Sequence, residues 1–184
     1  MINVLIPLAQ GCEELEAVTI IDLLRRAQFE VTTAGLEPQP LPIKARRGTT
    51  LLPDTSLDQA LKTNYDMLVL PGGLPGADHL NDDPRIIALI QQMAAADKFT
   101  CAICAAPRAL ARAGILQNKR ATSYPGTLDQ MEVSGMTYTG EAVTIDGKII
   151  TGRGPGVAID FALALIEALG GSKLKLQVET PLLR

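Results

Sequence analysis

Apolar runs of strand length alternate with helix-length patterns through much of the chain, and this alternation limits the fold more than any other feature. Extended runs fall at residues 3–8, 29–34, 67–70 and 99–104, and helical patterns fall at about 13–26 and 84–96. Strands separated by helices pair in parallel, each helix crossing over a face of the sheet. In the first helix Ala17, Ile20, Ile21 and Leu24 recur at the spacing of one helical face, the side that packs on the sheet. Between Pro42 and Pro53, short extended pieces around Ile43 and at 50–52 predict a hairpin or an edge addition. A second hairpin is predicted where 142–145 and 148–151 flank Asp146-Gly147, because both turn residues favour positive φ. The last long helix opens at Gly154-Pro155-Gly156. Ile159, Phe161, Ala162, Leu163, Leu165, Ile166 and Leu169 make it apolar on most sides, the pattern of a buried helix.

The 184 residues suffice for one domain, 1–184, that fills its core without metal or disulfide staples. A formal net charge of -3 argues against nucleic-acid and anionic-membrane partners, since neither favours an acidic surface. The basic run Lys44-Ala45-Arg46-Arg47 is too short to change that. No basic leader with a long apolar stretch opens the chain, and no apolar run approaches the ~20 residues that span a bilayer. A cytoplasmic location is expected, and with it free thiols for the three cysteines.

Cys104 carries the strongest chemical signal. It ends the run Phe99-Thr100-Cys101-Ala102-Ile103 and precedes the helix start Ala105-Ala106-Pro107-Arg108. A small-residue strand-to-helix turn is a nucleophile elbow: it holds a side chain over the carboxyl end of a parallel sheet, beside free helical N–H groups that stabilise an anion. A nucleophile there should have a depressed thiol pKa. The bland reading is a small buried hydrophobe. Cys101 and Cys104 also have the C-x-x-C spacing of a redox motif, but Cys101 lies within the strand and points into the packing layer. One histidine and no second cysteine pair leave a zinc site short of ligands, so no metal is implied.

Leu70-Pro71-Gly72-Gly73 follows a strand. It reads either as a tight turn or as bare backbone that brings an N–H to a ligand, as an oxyanion hole requires. Neither this segment nor Gly152-Arg153-Gly154-Pro155-Gly156 sits in the first strand-to-helix turn, where a dinucleotide fingerprint belongs. Glu13, Glu14 and Glu16 open the first helix, where carboxylates suit the helix dipole. Glu16, however, falls on the buried stripe and needs a partner or a raised pKa. The single histidine, His79, lies in a polar stretch past the glycine turn and reads as an exposed loop residue ahead of a catalytic base.

In order along the chain, Gly11-Cys12-Glu13-Glu14-Leu15-Glu16-Ala17, Leu70-Pro71-Gly72-Gly73, Ala102-Ile103-Cys104-Ala105-Ala106-Pro107 and Gly152-Arg153-Gly154-Pro155-Gly156 resemble the ThiJ/PfpI superfamily. The nearest likeness is to the subgroup of the Parkinson disease protein deglycase and its bacterial relatives. The resemblance implies a flavodoxin-like three-layer α/β sandwich with a mostly parallel central sheet, a homodimer, and a cysteine site that needs no cofactor. It makes Cys104 the nucleophile, Glu16 the carboxylic acid that hydrogen-bonds its sulfur, and the amides of Gly73 and Ala105 the oxyanion donors, with Gly72 beside them. Arg47 and Glu13 match positions that pair near the subunit boundary. Tyr124 stands where the human-type member has a histidine near the cysteine. Ala105 stands where protease-like members place a histidine, so peptidase activity by that pair is not expected. Leu52 replaces an oxidation-prone cysteine.

The activity implied is on a small aldehyde or dicarbonyl: a glyoxalase that turns methylglyoxal into lactate without glutathione, or a deglycase for early glyoxal adducts. The alternative is an oxidative-stress sensor or redox-regulated chaperone, in which Cys104 becomes a sulfinate held by Glu16. No residue supports a role in thiamine biosynthesis.

Overall fold

The apolar runs become the central strands, as the structure of residues 1–184, a computed structural model, shows. In chain order the elements begin β1 (Asn3–Leu8), α1 (Glu14–Arg26), β2 (Glu30–Gly35), β3 (Ile43–Lys44), β4 (Thr50–Leu51), β5 (Thr55–Ser56), α2 (Leu57–Ala60), β6 (Met67–Leu70), α3 (Gly76–Asp82) and α4 (Pro84–Ala95). They continue β7 (Phe99–Ile103), α5 (Pro107–Arg112), β8 (Arg120–Ala121), β9 (Thr137–Tyr138), β10 (Val143–Asp146), β11 (Ile149–Gly152) and α6 (Ala158–Glu179). Seven strands form one sheet in the order β5-β2-β1-β6-β7-β11-β10, parallel except for β10 against β11. The order is flavodoxin-like, with β1 at the point where the winding reverses. No helix is long and apolar enough to cross a membrane.

Period-two alternation divides the strand side chains between two cores. In β6, buried throughout, Met67 and Val69 join α1 and α6 on one face, while Leu68 and Leu70 join α2, α3, α4 and α5 on the other. Of the stripe read on α1, Ala17, Ile20 and Leu24 are buried, Leu23 joins them, and Ile21 is only partly buried; Phe161 anchors α6 in the same core. Truncating Phe161 to alanine should cost about 3–5 kcal/mol. Asp83 caps α4 through the Arg85 N–H, with Pro84 at the first helical position.

Three local expectations needed correction. The β10–β11 hairpin turns on Gly147-Lys148, because Asp146 already pairs with Ile149; only Gly147 takes a positive φ, of 61°. The stretch around His79 is helical, since Ala77 and Leu80 have a core to enter. His79 is exposed, but on α3 and not in a loop. The last helix is buried mainly in its first half; at Gly171 (φ 80°, ψ 168°) it breaks, and beyond it Leu176 is exposed while Val178 returns to the core. The pieces around Ile43 and Thr50 do pair, as a two-stranded antiparallel hairpin separate from the main sheet.

Candidate active site

Strand β7 delivers Cys104 to the carboxyl end of the sheet, one strand beyond the β1–β6 winding reversal where α/β sheets leave a crevice. The β7–β11 pairing ends at Ile103 opposite Gly152, and the next N–H, that of Cys104, still donates to the Gly152 carbonyl at 2.9 Å. The Cys104 carbonyl accepts from the Tyr124 N–H at 2.8 Å. Held on both sides, Cys104 takes φ +64°, a left-handed conformation costly for a residue with a Cβ. That strain turns the chain sharply into α5 and leaves the side chain at the sheet rim, the nucleophile elbow expected from the sequence.

The glycines of the β6–α3 loop let that loop press against the elbow and against the start of α1. A Cβ at Gly72 would stand 2.6 Å from Cys104 Cβ and 2.8 Å from Glu16 Oε2. At Gly73 (φ +88°) it would stand 2.3 Å from the Glu13 nitrogen. The bare backbone is used: the Gly72 N–H donates to Glu16 Oε2 at 2.8 Å, and the Gly72 carbonyl accepts from the Glu13 N–H at 2.9 Å. The N–H groups of Gly73 and Ala105 and the Glu16 carboxyl lie near the Cys104 sulfur and act on its charge. Backbone from two loops and a side chain from α1 thus meet on one thiol.

Burial raises the Glu16 carboxyl to about 7, against the Gly72 N–H and the Cys104 bond, which pull it down. The thiol does not follow the expected depression. Burial pushes Cys104 up to about 12, and the Glu16 charge beside it adds to the rise; the Gly73 and Ala105 amides oppose it without winning. Helical amides lower a thiol pKa only where solvent or a cation helps carry the charge, and this thiol is 8% exposed beside a carboxylate. A proton on Glu16 removes the opposing charge and turns that carboxyl into a donor to sulfur, so the pair can exchange one proton between oxygen and sulfur. Cys101, fully buried, is raised further by desolvation alone, and Cys12 is raised to about 11, mostly by burial.

A cavity of about 360 Å³ opens over Cys104, lined by Glu13, Arg46, Arg47, Gly73, Ala105, Arg108 and Tyr124 among others. The positions read from the sequence, Glu13, Arg47 and Tyr124, therefore do share the site with Cys104. Glu13 and Arg47 form no ion pair within the chain; it is Glu14 whose carboxylate accepts the Arg47 N–H, at 3.0 Å. His79 lines a different cavity. The sequence reading missed Arg46 and Arg108 as cavity residues. Arg108, a charge four positions after the cysteine amid small residues, was the available signal.

A buried thiol on a strained elbow, with a carboxyl and two amides on its sulfur, defines an α/β protein organised around one cysteine. The chain belongs to the DJ-1/PfpI family, whose family model matches residues 2–168. It is 39% identical over 181 residues to the Parkinson disease protein 7 homolog of Danio rerio, covering 97% of this chain and 95% of that one. It is 33% identical over 162 residues to the Caenorhabditis elegans protein named glutathione-independent glyoxalase DJR-1.2, covering 88% of this chain and 85% of that one. The crystal structure of Drosophila melanogaster DJ-1beta matches with a TM-score of 0.93 at 38% identity, covering 99% and 97% of the two chains.

Proposed function

We propose that the protein is a cofactor-independent cysteine enzyme acting on reactive dicarbonyls, as a glyoxalase converting methylglyoxal to lactate or a deglycase on glyoxal adducts. The observation that carries this reading is the convergence of Glu16, the Gly73 N–H and the Ala105 N–H on Cys104. The name of the C. elegans relative supports the same substrate class. In the glyoxalase reaction Glu16 takes the thiol proton as sulfur adds to the aldehyde carbon, and the oxyanion forms against the two amides before receiving that proton. The carboxylate then removes the hydrogen on the same carbon and returns it to the neighbouring carbon, leaving a thioester of the 2-hydroxy acid. Water hydrolyses the thioester and frees Cys104. The aldehyde carbon is oxidised and its neighbour reduced, so no external redox partner is needed.

The test is methylglyoxal consumption with lactate analysis. Cys104→Ser should lose turnover by at least about 10³-fold with the fold intact by circular dichroism. Glu16→Gln should lose turnover yet still be alkylated at Cys104. Wild-type turnover by Glu16→Gln would exclude the proton-transfer role.

A second reading, an oxidative-stress sensor or redox-regulated chaperone, draws on the buried Glu16 Oε1, which has no conventional hydrogen-bond partner. With Glu16 protonated, that oxygen would donate to a Cys104 sulfinate oxygen. Absence of turnover in the wild type, with a mass gain of two oxygens under mild peroxide, would favour it.

The proposal includes a cytoplasmic homodimer. Glu14 ties the start of α1 to the β3–β4 turn, and Leu15, Val18 and Leu52 stand uncovered on these elements, Leu52 at 69% exposure. A one-subunit mass by light scattering at micromolar concentration would overturn it.

A further inference from the structure

In a chain of net charge -3, the wall of the Cys104 cavity carries three guanidinium groups, Arg46, Arg47 and Arg108, against one carboxylate, Glu13. Their donors are largely unspent. Arg46 gives one nitrogen to the Leu74 carbonyl, and the Arg47 side chain makes no hydrogen bond or ion pair within the chain. Arg108, on the first turn of α5, gives only Nη1 to Asp78 of α3 and keeps Nε and Nη2 without a protein acceptor. An arginine aimed by a carboxylate on one nitrogen and open on the others is a preformed fork for a second carboxylate. Arg85, in the wall of the cavity of about 540 Å³, differs: Asp83, Asp58 and the Leu36 carbonyl occupy Nε, Nη1 and Nη2. At about 360 Å³ the Cys104 cavity also exceeds what a three-carbon dicarbonyl fills.

We propose that Arg108 is a specificity-determining residue that binds an anionic group of the substrate, so that the preferred substrate is a 2-oxoaldehyde bearing a carboxylate. The inference rests on the dicarbonyl reading above. With 4,5-dioxopentanoate, sulfur adds to the aldehyde carbon, hydrogen moves to the neighbouring carbon, and water releases 2-hydroxypentanedioate, while the remote carboxylate stays on Arg108. Atoms balance as dicarbonyl plus water, with no outside oxidant.

Two measurements separate this proposal from the reading beneath it. The first is the ratio of kcat/KM for 4,5-dioxopentanoate to that for methylglyoxal. It should be about tenfold or more in the wild type, drop about tenfold in Arg108→Met, and drop less in Arg108→Lys, which keeps the charge and can still meet Asp78. The second needs no turnover. It is the ratio of Cys104 alkylation rates with iodoacetate and iodoacetamide, each normalised to N-acetylcysteine, and it should fall in Arg108→Met and with added salt. Turnover of both dicarbonyls with ratios unchanged by Arg108→Met overturns the proposal and leaves the dicarbonyl reading standing. No turnover of either dicarbonyl, with an iodoacetate preference that Arg108→Met abolishes, supports the anion site and removes the dicarbonyl reading.

Discussion

The molecule has two sizeable cavities at the carboxyl end of its sheet, and the larger one is chemically quiet. That cavity, about 540 Å³, is lined by Gln10, Gly35, Glu37, His79, Asp83 and Arg85 among others. The Gln10 amide is spent at both ends, on the Pro42 carbonyl and the Lys44 N–H, and Arg85 is held by two aspartates and a carbonyl. The smaller cavity holds a strained cysteine, a buried carboxyl whose pKa burial raises, and arginines with free donors. Space alone does not make a site. Reactivity needs polar groups that the fold has brought together and left unsatisfied, at a cost in stability met elsewhere in the structure.

The sharpest way to break this contrast is to add the same methyl group behind the elbow and in the quiet cavity. Gly72→Ala puts a Cβ 2.6 Å from Cys104 Cβ, so turnover should fall by at least about 10²-fold and stability by about 2 kcal/mol. Gly35→Ala meets a Pro53 ring carbon at 3.1 Å and otherwise only ordinary contacts from 3.8 Å, and should cost under about 1 kcal/mol with turnover held within about twofold. Steady-state kinetics and urea unfolding of both variants decide the matter.

Titration sharpens it next. A Glu16 carboxyl raised from 4.5 to about 7 binds a proton in the folded protein that the unfolded chain has released. Its contribution to stability is therefore present below pH 4.5 and lost as pH rises through 7. Relative to Glu16→Gln, the wild type should lose on the order of 3 kcal/mol between these limits. Denaturation curves at several pH values check both sign and size. The pH dependence of turnover should show an inflection near the same value.

The thiols provide a smaller effect. Although burial raises all three, Cys104 lines a cavity and has two amides near its sulfur against one each for Cys12 and Cys101, so limiting iodoacetamide should label it at least about tenfold faster than either. Peptide mass spectrometry after partial labelling measures the order. The smallest effect belongs to the quiet cavity: Arg85→Met removes a half-exposed ionic cluster and should lower the thermal midpoint by about 2–4 °C while turnover stays within about twofold.

Local sequence determined more than the strand pattern. The parallel sheet was legible because an apolar run of strand length between helical stretches has few other ways to bury itself, as β6 illustrates. The elbow was legible from a strand running into Ala105-Ala106-Pro107, and the depth of Glu16 from its place on the α1 stripe. What tertiary structure alone decided concerns distances across the chain. The lack of room at Gly72 exists only because β6, β7 and α1 converge there, and the gathering of Arg46, Arg47 and Arg108 joins a hairpin to a helix distant in sequence. The Cys104 pKa went the other way from its local signal for the same reason. Helix-terminal amides are set by neighbouring residues, whereas burial and the Glu16 charge arrive from the folded core, and in a low-dielectric setting those long-range terms are the larger.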